Sequence, residues 1–210
     1  MQLYFSPLAC SMATRIALYD AGADAQYIQR SRDKRLPDGS DFTVINPLGM
    51  VPTLRTDAGD LITENAAILQ YVAASFPAAA LAPAGAVERA RLHQWLSFIG
   101  TELHKAVYLP LLSKVAPAEV KAYAASLADA RFAIVEKHLA GRDFLLDTFS
   151  IADAYLFTVL NWTGATPLKL DAYPAIQAYV ARLQKRPSVA KALGEELEMY
   201  KAEVAKQKAA

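Results

Sequence analysis

Apolar and polar positions alternate in two different ways along this chain, and the change falls near residue 80. Before it, short strand-like runs interleave with helical ones. Gln2-Leu3-Tyr4-Phe5 reads as a strand and Ser6-Pro7-Leu8-Ala9 as a loop. Met12 through Ala21 reads as a helix, with Gly22 as its stop. Ala25–Gln29 and Val51–Arg55 are two further strand candidates. Asp57-Ala58-Gly59-Asp60 reads as a hairpin turn into Leu61-Ile62, and Glu64 to Ala74 as a helix. This order suits a small sheet covered by helices.

Phe76 to Ala86, rich in Ala and Pro and containing Gly85, reads as a linker. Beyond it the pattern is helical throughout: about 87–113, 117–139, 151–163, 174–185 and 188–201, with an Ala/Lys-rich tail expected to fray. Leu92, Trp95, Leu96, Ile99, Leu103 and Val107 recur at helical spacing and predict a core stripe. A second stripe, His93, Ser97, Thr101, His104 and Tyr108, means little on a solvated face but carries no full charge, which also suits the wall of a cleft; His93 by itself is most simply a surface or satisfied core histidine. Ser150-Ile151-Ala152-Asp153 has the form of a capping box, with Asp in place of the usual Glu or Gln. We assign Ser150 and Asp153 to folding.

Bulk composition narrows the function. The 210 residues are 54% hydrophobic and 20% charged, which makes a globular chain of one or two domains. A formal net charge of +1 removes any general electrostatic case for nucleic acid or an anionic membrane. The basic cluster Arg30, Arg32, Lys34 and Arg35, broken by Asp33, is for most of these residues simply a solvated loop. There is no signal-peptide pattern at Met1-Gln2-Leu3 and no apolar run of bilayer length, so the expected location is cytoplasmic. One cysteine cannot form an internal disulfide, which fits a reducing compartment.

That cysteine, Cys10, falls where the first strand runs into the first helix. Free N–H groups and the helix dipole favour thiolate there, although a lone cysteine is more often a small buried hydrophobe. Pro52 enters a strand candidate, where a residue without an N–H needs an edge or special geometry. Glu64-Asn65 opens a helix whose unpaired N–H groups suit a ligand carboxylate, while Glu64 suits an ammonium. Ordinary N-terminal charge preference explains the same pair.

Taken together these residues carry a resemblance. The chain resembles the cytosolic glutathione S-transferases, most closely the bacterial beta class. The matching segments are Leu3–Pro7 through Cys10-Ser11, Asn46–Pro52, Leu61–Ile68, Gln70–Val72, Glu102–Lys105, Phe149–Thr158 and Arg186–Val189. They cover nearly the whole chain in order. The resemblance implies an α/β plus all-α fold: a thioredoxin-like N-terminal domain over 1–78, a linker at 79–86 and an all-helical C-terminal domain over 87–210. It implies a homodimer, glutathione as co-substrate, no metal and a hydrophobic electrophile as second substrate. It also implies that Val51-Pro52 is cis, that the Val51 backbone pairs with the cysteinyl part of glutathione, and that Met50 and Pro52 belong to the glutathione site. Glu64 and Asn65 would hold its γ-glutamyl end, and Lys34 its glycine end. Cys10, Ser97, His104 and Lys105 would complete the glutathione site.

Two departures are visible. Asn65 stands where relatives carry Ser or Gly, although an amide can still donate to a carboxylate. Ala9 and Ala13 stand where the zeta-class pattern has Ser and Arg, which argues against a zeta-like isomerase. Cys10, His104 and Ser11 are the catalytic candidates. Cys10 has no second cysteine to resolve its disulfides, so exchange would need glutathione itself. His104 would carry a proton or act as a hydrogen-bond partner near Cys10, given its ordinary pKa near neutrality. Ser11 is an alternative activator, whereas Tyr4 is expected to pack in the core. Tyr108, Leu112 and Trp162 are expected to wall the electrophile pocket, and Trp95 to sit in the core. A zeta-like isomerase and a non-catalytic scaffold of the same fold are the rival readings.

Overall fold

The computed structural model describes residues 1–209. It divides into two compact units: Met1–Leu81 together with the C-terminal helix, and Ala82–Arg186. In the first unit, β1 (Gln2–Phe5), α1 (Ser11–Asp20) and β2 (Gln26–Gln29) form a right-to-the-pattern strand–helix–strand start. They are followed by β3 (Thr53–Arg55), β4 (Leu61–Thr63) and α2 (Asn65–Ser75). The sheet order is β2-β1-β3-β4. β1 pairs parallel with β2 and antiparallel with β3, and β3 pairs antiparallel with β4.

Position in the sheet sets burial. Leu3, Tyr4 and Phe5 on central β1 are buried, as are Met12, Ala13, Ile16, Ala17 and Leu18 on α1. The expected hairpin forms: Gly59 N–H donates to the Thr56 carbonyl at 3.0 Å, and Gly59 adopts φ +95°. Pro52 lies outside β3, which begins at Thr53, because proline has no N–H for the ladder. The C-terminal helix α8 (Pro187–Ala209) packs on α1 within this unit and runs as helix through the tail that was expected to fray from Lys201. Ser188 Oγ ties it to Asp20 at 2.8 Å.

The second unit is helical. α3 (Ala86–Phe98), a π-helical stretch (Ile99–Tyr108) and α4 (Leu109–Leu112) run end to end. α5 (Ala118–Leu139), α6 (Ile151–Asn161) and α7 (Pro174–Gln184) complete it. Leu92, Leu96, Ile99, Leu103 and Val107 are buried, as their spacing predicts, whereas Trp95 is half-buried against Phe98 and His138. The capping box forms: Ser150 N–H donates to Asp153 Oδ2 at 2.8 Å, and Ser150 Oγ accepts from Ala152 N–H. Among the described residues, no helix is long and apolar enough to cross a membrane.

Candidate functional site

Cys10 is the N-cap residue of α1. Its thiol donates to the Val51 carbonyl, with sulfur and oxygen 3.1 Å apart. The Val51-Pro52 peptide bond is cis. The loop before Cys10 is tightly specified. Ala9 N–H donates to the Ser6 carbonyl, and Leu8 holds φ +59°. Ser11 Oγ accepts from Ser6 N–H and donates to the Ser6 carbonyl, both at 3.3 Å. Ser11 is 0% exposed. Its hydroxyl shapes the loop through both groups of Ser6. Tyr4 packs against Phe42 and donates its hydroxyl to Gln2, as core packing predicts.

The second loop of the site is fastened by Asn46, a buried side chain. Its Nδ2 donates to the Met50 carbonyl at 2.9 Å and to Thr53 Oγ1 at 3.0 Å, while its Oδ1 accepts from Leu48 N–H. Gly49 closes this turn by donating to the Asn46 carbonyl at 2.7 Å, with φ +62°. Met50 is exposed, Val51 half-buried and Pro52 buried. Lys34, also left-handed at φ +61°, is exposed and lays its side chain over Gly49.

At the start of α2, Glu64 is exposed and holds φ +67°, ψ 125°. A non-glycine residue in this region costs on the order of 1–3 kcal/mol and marks a site where the backbone is over-determined. Asn65 departs from the expected geometry. Its amide does not face outward: Oδ1 accepts from Thr14 Oγ1 at 3.1 Å, and Nδ2 donates to the Cys10 carbonyl at 3.0 Å. The side chain ties α2 to the N-terminus of α1.

Two acidic residues on α8 complete the support of the Cys10 loop, and sequence reasoning missed them. Glu196 is 0% exposed, and its Oε2 accepts from Leu8 N–H at 2.7 Å. Its other oxygen lies 3.5 Å from Arg15 Nε, and Glu195 lies 3.7 Å from Arg15 Nη1. The Arg15 guanidinium is sandwiched between the Phe5 and Tyr27 rings at 4.2 and 4.4 Å. Burial pushes the Glu196 carboxyl up to about 7, against the pull of Arg15 and the Leu8 N–H. The available signal was an arginine inside the apolar run Met12–Leu18, which demands a buried acidic partner. Arg30 is not among the solvated members of its basic cluster. It is half-buried instead, and burial lowers its pKa while the charges of Glu203 and Cys10 raise it.

The remaining candidates belong to the helical unit. Ser97 and Lys105 are exposed, together with His93 and Thr101. His104 is 8% exposed, its Nδ1 lies 2.7 Å from the Tyr155 hydroxyl, and its ring meets the Trp162 ring edge-on. Burial, then the charge of Lys105, pushes its pKa down to about 4. The imidazole is therefore held in its neutral, hydrogen-bonding form at pH 7. The exposed stripe runs 93, 97, 101, 105 because the π-helical stretch turns its ladder from i→i+4 to i→i+5. Tyr108 is fully buried, with its hydroxyl 2.7 Å from Thr163 Oγ1, and Trp162 is buried beside it, whereas Leu112 is exposed. Among the described residues, no group of three or more His, Cys, Asp or Glu side chains is placed to hold a metal.

Two family models match this chain: "Glutathione S-transferase, N-terminal domain" over residues 1–74 and "Glutathione S-transferase, C-terminal domain" over residues 98–187. The glutathione S-transferase GstA of Escherichia coli O157:H7 is 39% identical over 199 residues, covering 93% of this chain and 98% of that one. The structure of a sphingomonad glutathione S-transferase complexed with glutathione superposes with a TM-score of 0.89 at 43% identity, covering 93% of this chain and 98% of that one. A bacterial beta-class glutathione S-transferase from Sphingomonas chungbukensis superposes with a TM-score of 0.88 at 40% identity, over the same shares. Zeta-class relatives match at lower identity.

Proposed function

Because the chain belongs to the glutathione S-transferase family, we infer that it is a transferase that conjugates glutathione to electrophilic small molecules. The observation that supports the location of the site is the Cys10 thiol at the start of α1, 3.1 Å from the Val51 carbonyl. The main chain at Val51 would pair with the cysteinyl part of glutathione and bring its sulfur beside Cys10. Met50 and Pro52 would flank that contact. Backbone N–H groups at the start of α2 would take the γ-glutamyl carboxylate and the exposed Glu64 its ammonium, with Lys34 at the glycine carboxylate. Ser97, His104 and Lys105 of the helical unit remain assigned to the site by family resemblance, with His104 as a neutral hydrogen-bonding group.

In conjugation, the N-terminal N–H groups of α1 and the Cys10 thiol stabilise the glutathione thiolate, whose proton passes to solvent. The sulfur then attacks electrophilic carbon, the S–C bond forms, and the leaving group departs with its electron pair. Cys10 supports a second reaction. Its thiolate attacks the glutathione sulfur of a mixed disulfide between glutathione and another thiol, forming a disulfide with that glutathione and releasing the other thiol as its thiolate. A further glutathione attacks that disulfide, regenerates Cys10 and leaves as oxidised glutathione.

Intact mass after incubation with oxidised glutathione tests the site. A single glutathione adduct on the wild type, absent in Cys10→Ala, is expected. No adduct on the wild type would refute the role of Cys10. Turnover of an isomerisable substrate without consumption of glutathione would instead favour the zeta-like reading, and absence of any turnover a scaffold. We also place the protein in the cytoplasm, where the lone thiol stays reduced, and propose a homodimer. Val44, 84% exposed, with Leu48 and Met50, offers apolar contact on the loop around the Asn46 turn. Light scattering on the eluting protein gives the oligomeric state.

A further inference from the structure

Gly49 and Lys34 meet across two loops whose backbones are both fixed. Lys34 N–H donates to the Ser31 carbonyl at 3.0 Å, and its carbonyl accepts from Phe42 N–H at 2.9 Å. On the other side, Asn46 fastens Leu48, Met50 and Thr53, and Gly49 donates back to Asn46. A Cβ placed on Gly49 would stand 2.7 Å from Lys34 Cδ and 2.8 Å from both Cε and Nζ. No real Cβ contact is that short, so one partner must move. The Asn46 turn is pinned at four points, whereas the Lys34 stem is a flexible chain. The lysine is therefore the part that gives way, and its ammonium moves with it.

We propose that Gly49 is a positioning residue for ligand specificity: its missing side chain forms the seat on which the Lys34 ammonium is held toward the glycine carboxylate of glutathione. This rests on the reading of Lys34 as the group that meets that carboxylate. Gly49 itself touches no ligand in this account. Its left-handed backbone explains why the chain favours glycine there, but not why the lysine lies against it, and the two requirements separate by experiment.

The test compares glutathione with γ-glutamylcysteine, which lacks the glycine carboxylate. Dissociation constants for both are measured by calorimetry on wild type, Lys34→Ala, Gly49→Ala and the double variant. Removing a charge-assisted contact lowers the preference for glutathione by about tenfold in Lys34→Ala. Gly49→Ala is expected to lose at least about threefold of the same preference, with kcat little changed and the affinity for γ-glutamylcysteine preserved. The double variant is expected to lose no more than Lys34→Ala alone, since both act through one contact. Gly49→Asn, which tolerates the left-handed backbone and carries the same Cβ, is expected to reproduce the effect even where the alanine variant folds poorly. Equal weakening toward both ligands, or additive losses in the double variant, would overturn the proposal and leave Lys34 in place. An unchanged preference in Lys34→Ala would overturn the reading of Lys34 and the inference with it.

Discussion

Each compact unit holds a buried carboxylate that accepts a hydrogen bond from loop backbone, and the two are served in opposite ways. Asp153, in the helical unit, accepts from Leu145 N–H, Ser150 N–H, Ser150 Oγ and Tyr179 Oη at 2.8–2.9 Å. All four donors are neutral and both oxygens are occupied. Glu196, in the unit that carries Cys10, has one N–H donor and an arginine 3.5 Å away, and its Oε1 makes no hydrogen bond. A carboxylate saturated by neutral dipoles is part of the frame. A carboxylate balanced by a charge it does not quite touch is one whose ionisation state matters to the loop it holds. The contrast teaches that the scaffold is closed at the capping box and left adjustable at the thiol.

The comparison breaks most violently at Asp153. Asp153→Ala leaves two buried N–H groups and two hydroxyls without their acceptor. Each buried unsatisfied group costs about 1–3 kcal/mol, so a loss of roughly 3–5 kcal/mol is expected. Denaturant unfolding of the full chain measures it, and a loss below about 1 kcal/mol would show that the capping box is dispensable.

Titration sharpens the contrast next. The Glu196 carboxyl is raised from 4.5 to about 7 in the fold. Its favourable contribution is complete below about 4.5 and is lost as pH rises to about 7. That interval corresponds to on the order of 3 kcal/mol. His104 works in the opposite sense, because its pKa is pushed from 6.5 down to about 4. Its contribution is complete above about 6.5 and is lost as pH falls to about 4. Between about pH 4.5 and 6.5 the two slopes offset one another. Glu196→Gln is expected to unmask a stability that rises with pH, and His104→Gln one that falls with pH. Thermal unfolding across pH 4–8 reads both signs, and parallel curves in the two variants would contradict this assignment.

Local patterns in the sequence carried much of this architecture. The short apolar run Leu3-Tyr4-Phe5 located β1, the Asp57–Asp60 turn located the hairpin, and the Ser150–Asp153 spacing located the capping box. Each depends on residues within a few positions of one another. The position of Cys10 at the start of α1 was legible for the same reason. What escaped was contact between distant segments. Nothing near Leu8 announces that Glu196, far along the chain, will hold its N–H. Asn65 was read by its side-chain chemistry alone, and only packing shows that Thr14 and the Cys10 carbonyl occupy it. The stripe from His93 to Tyr108 was drawn with α-helical spacing, and the π-helical stretch turned its last two members inward. The lowered pKa of His104 is not legible in the sequence, because burial, the leading cause of its shift, is a tertiary property.

The smallest effect tests whether His104 is held neutral by burial or by its hydrogen bond. Its Nδ1 lies 2.7 Å from the Tyr155 hydroxyl, and a hydroxyl can donate to the neutral ring or accept from the charged one. Burial is the leading cause of the lowered pKa, with Lys105 second. Tyr155→Phe removes the partner without opening the site to solvent. The expected cost is about 1 kcal/mol, with the His104 titration remaining well below the ordinary histidine value. Proton NMR of the imidazole against pH measures it. A titration that returns to 6.5 in Tyr155→Phe would mean that the hydroxyl, not burial, sets the protonation state of His104. Lys105→Gln, by removing the second cause alone, is expected to raise that titration slightly and leave the stability unchanged.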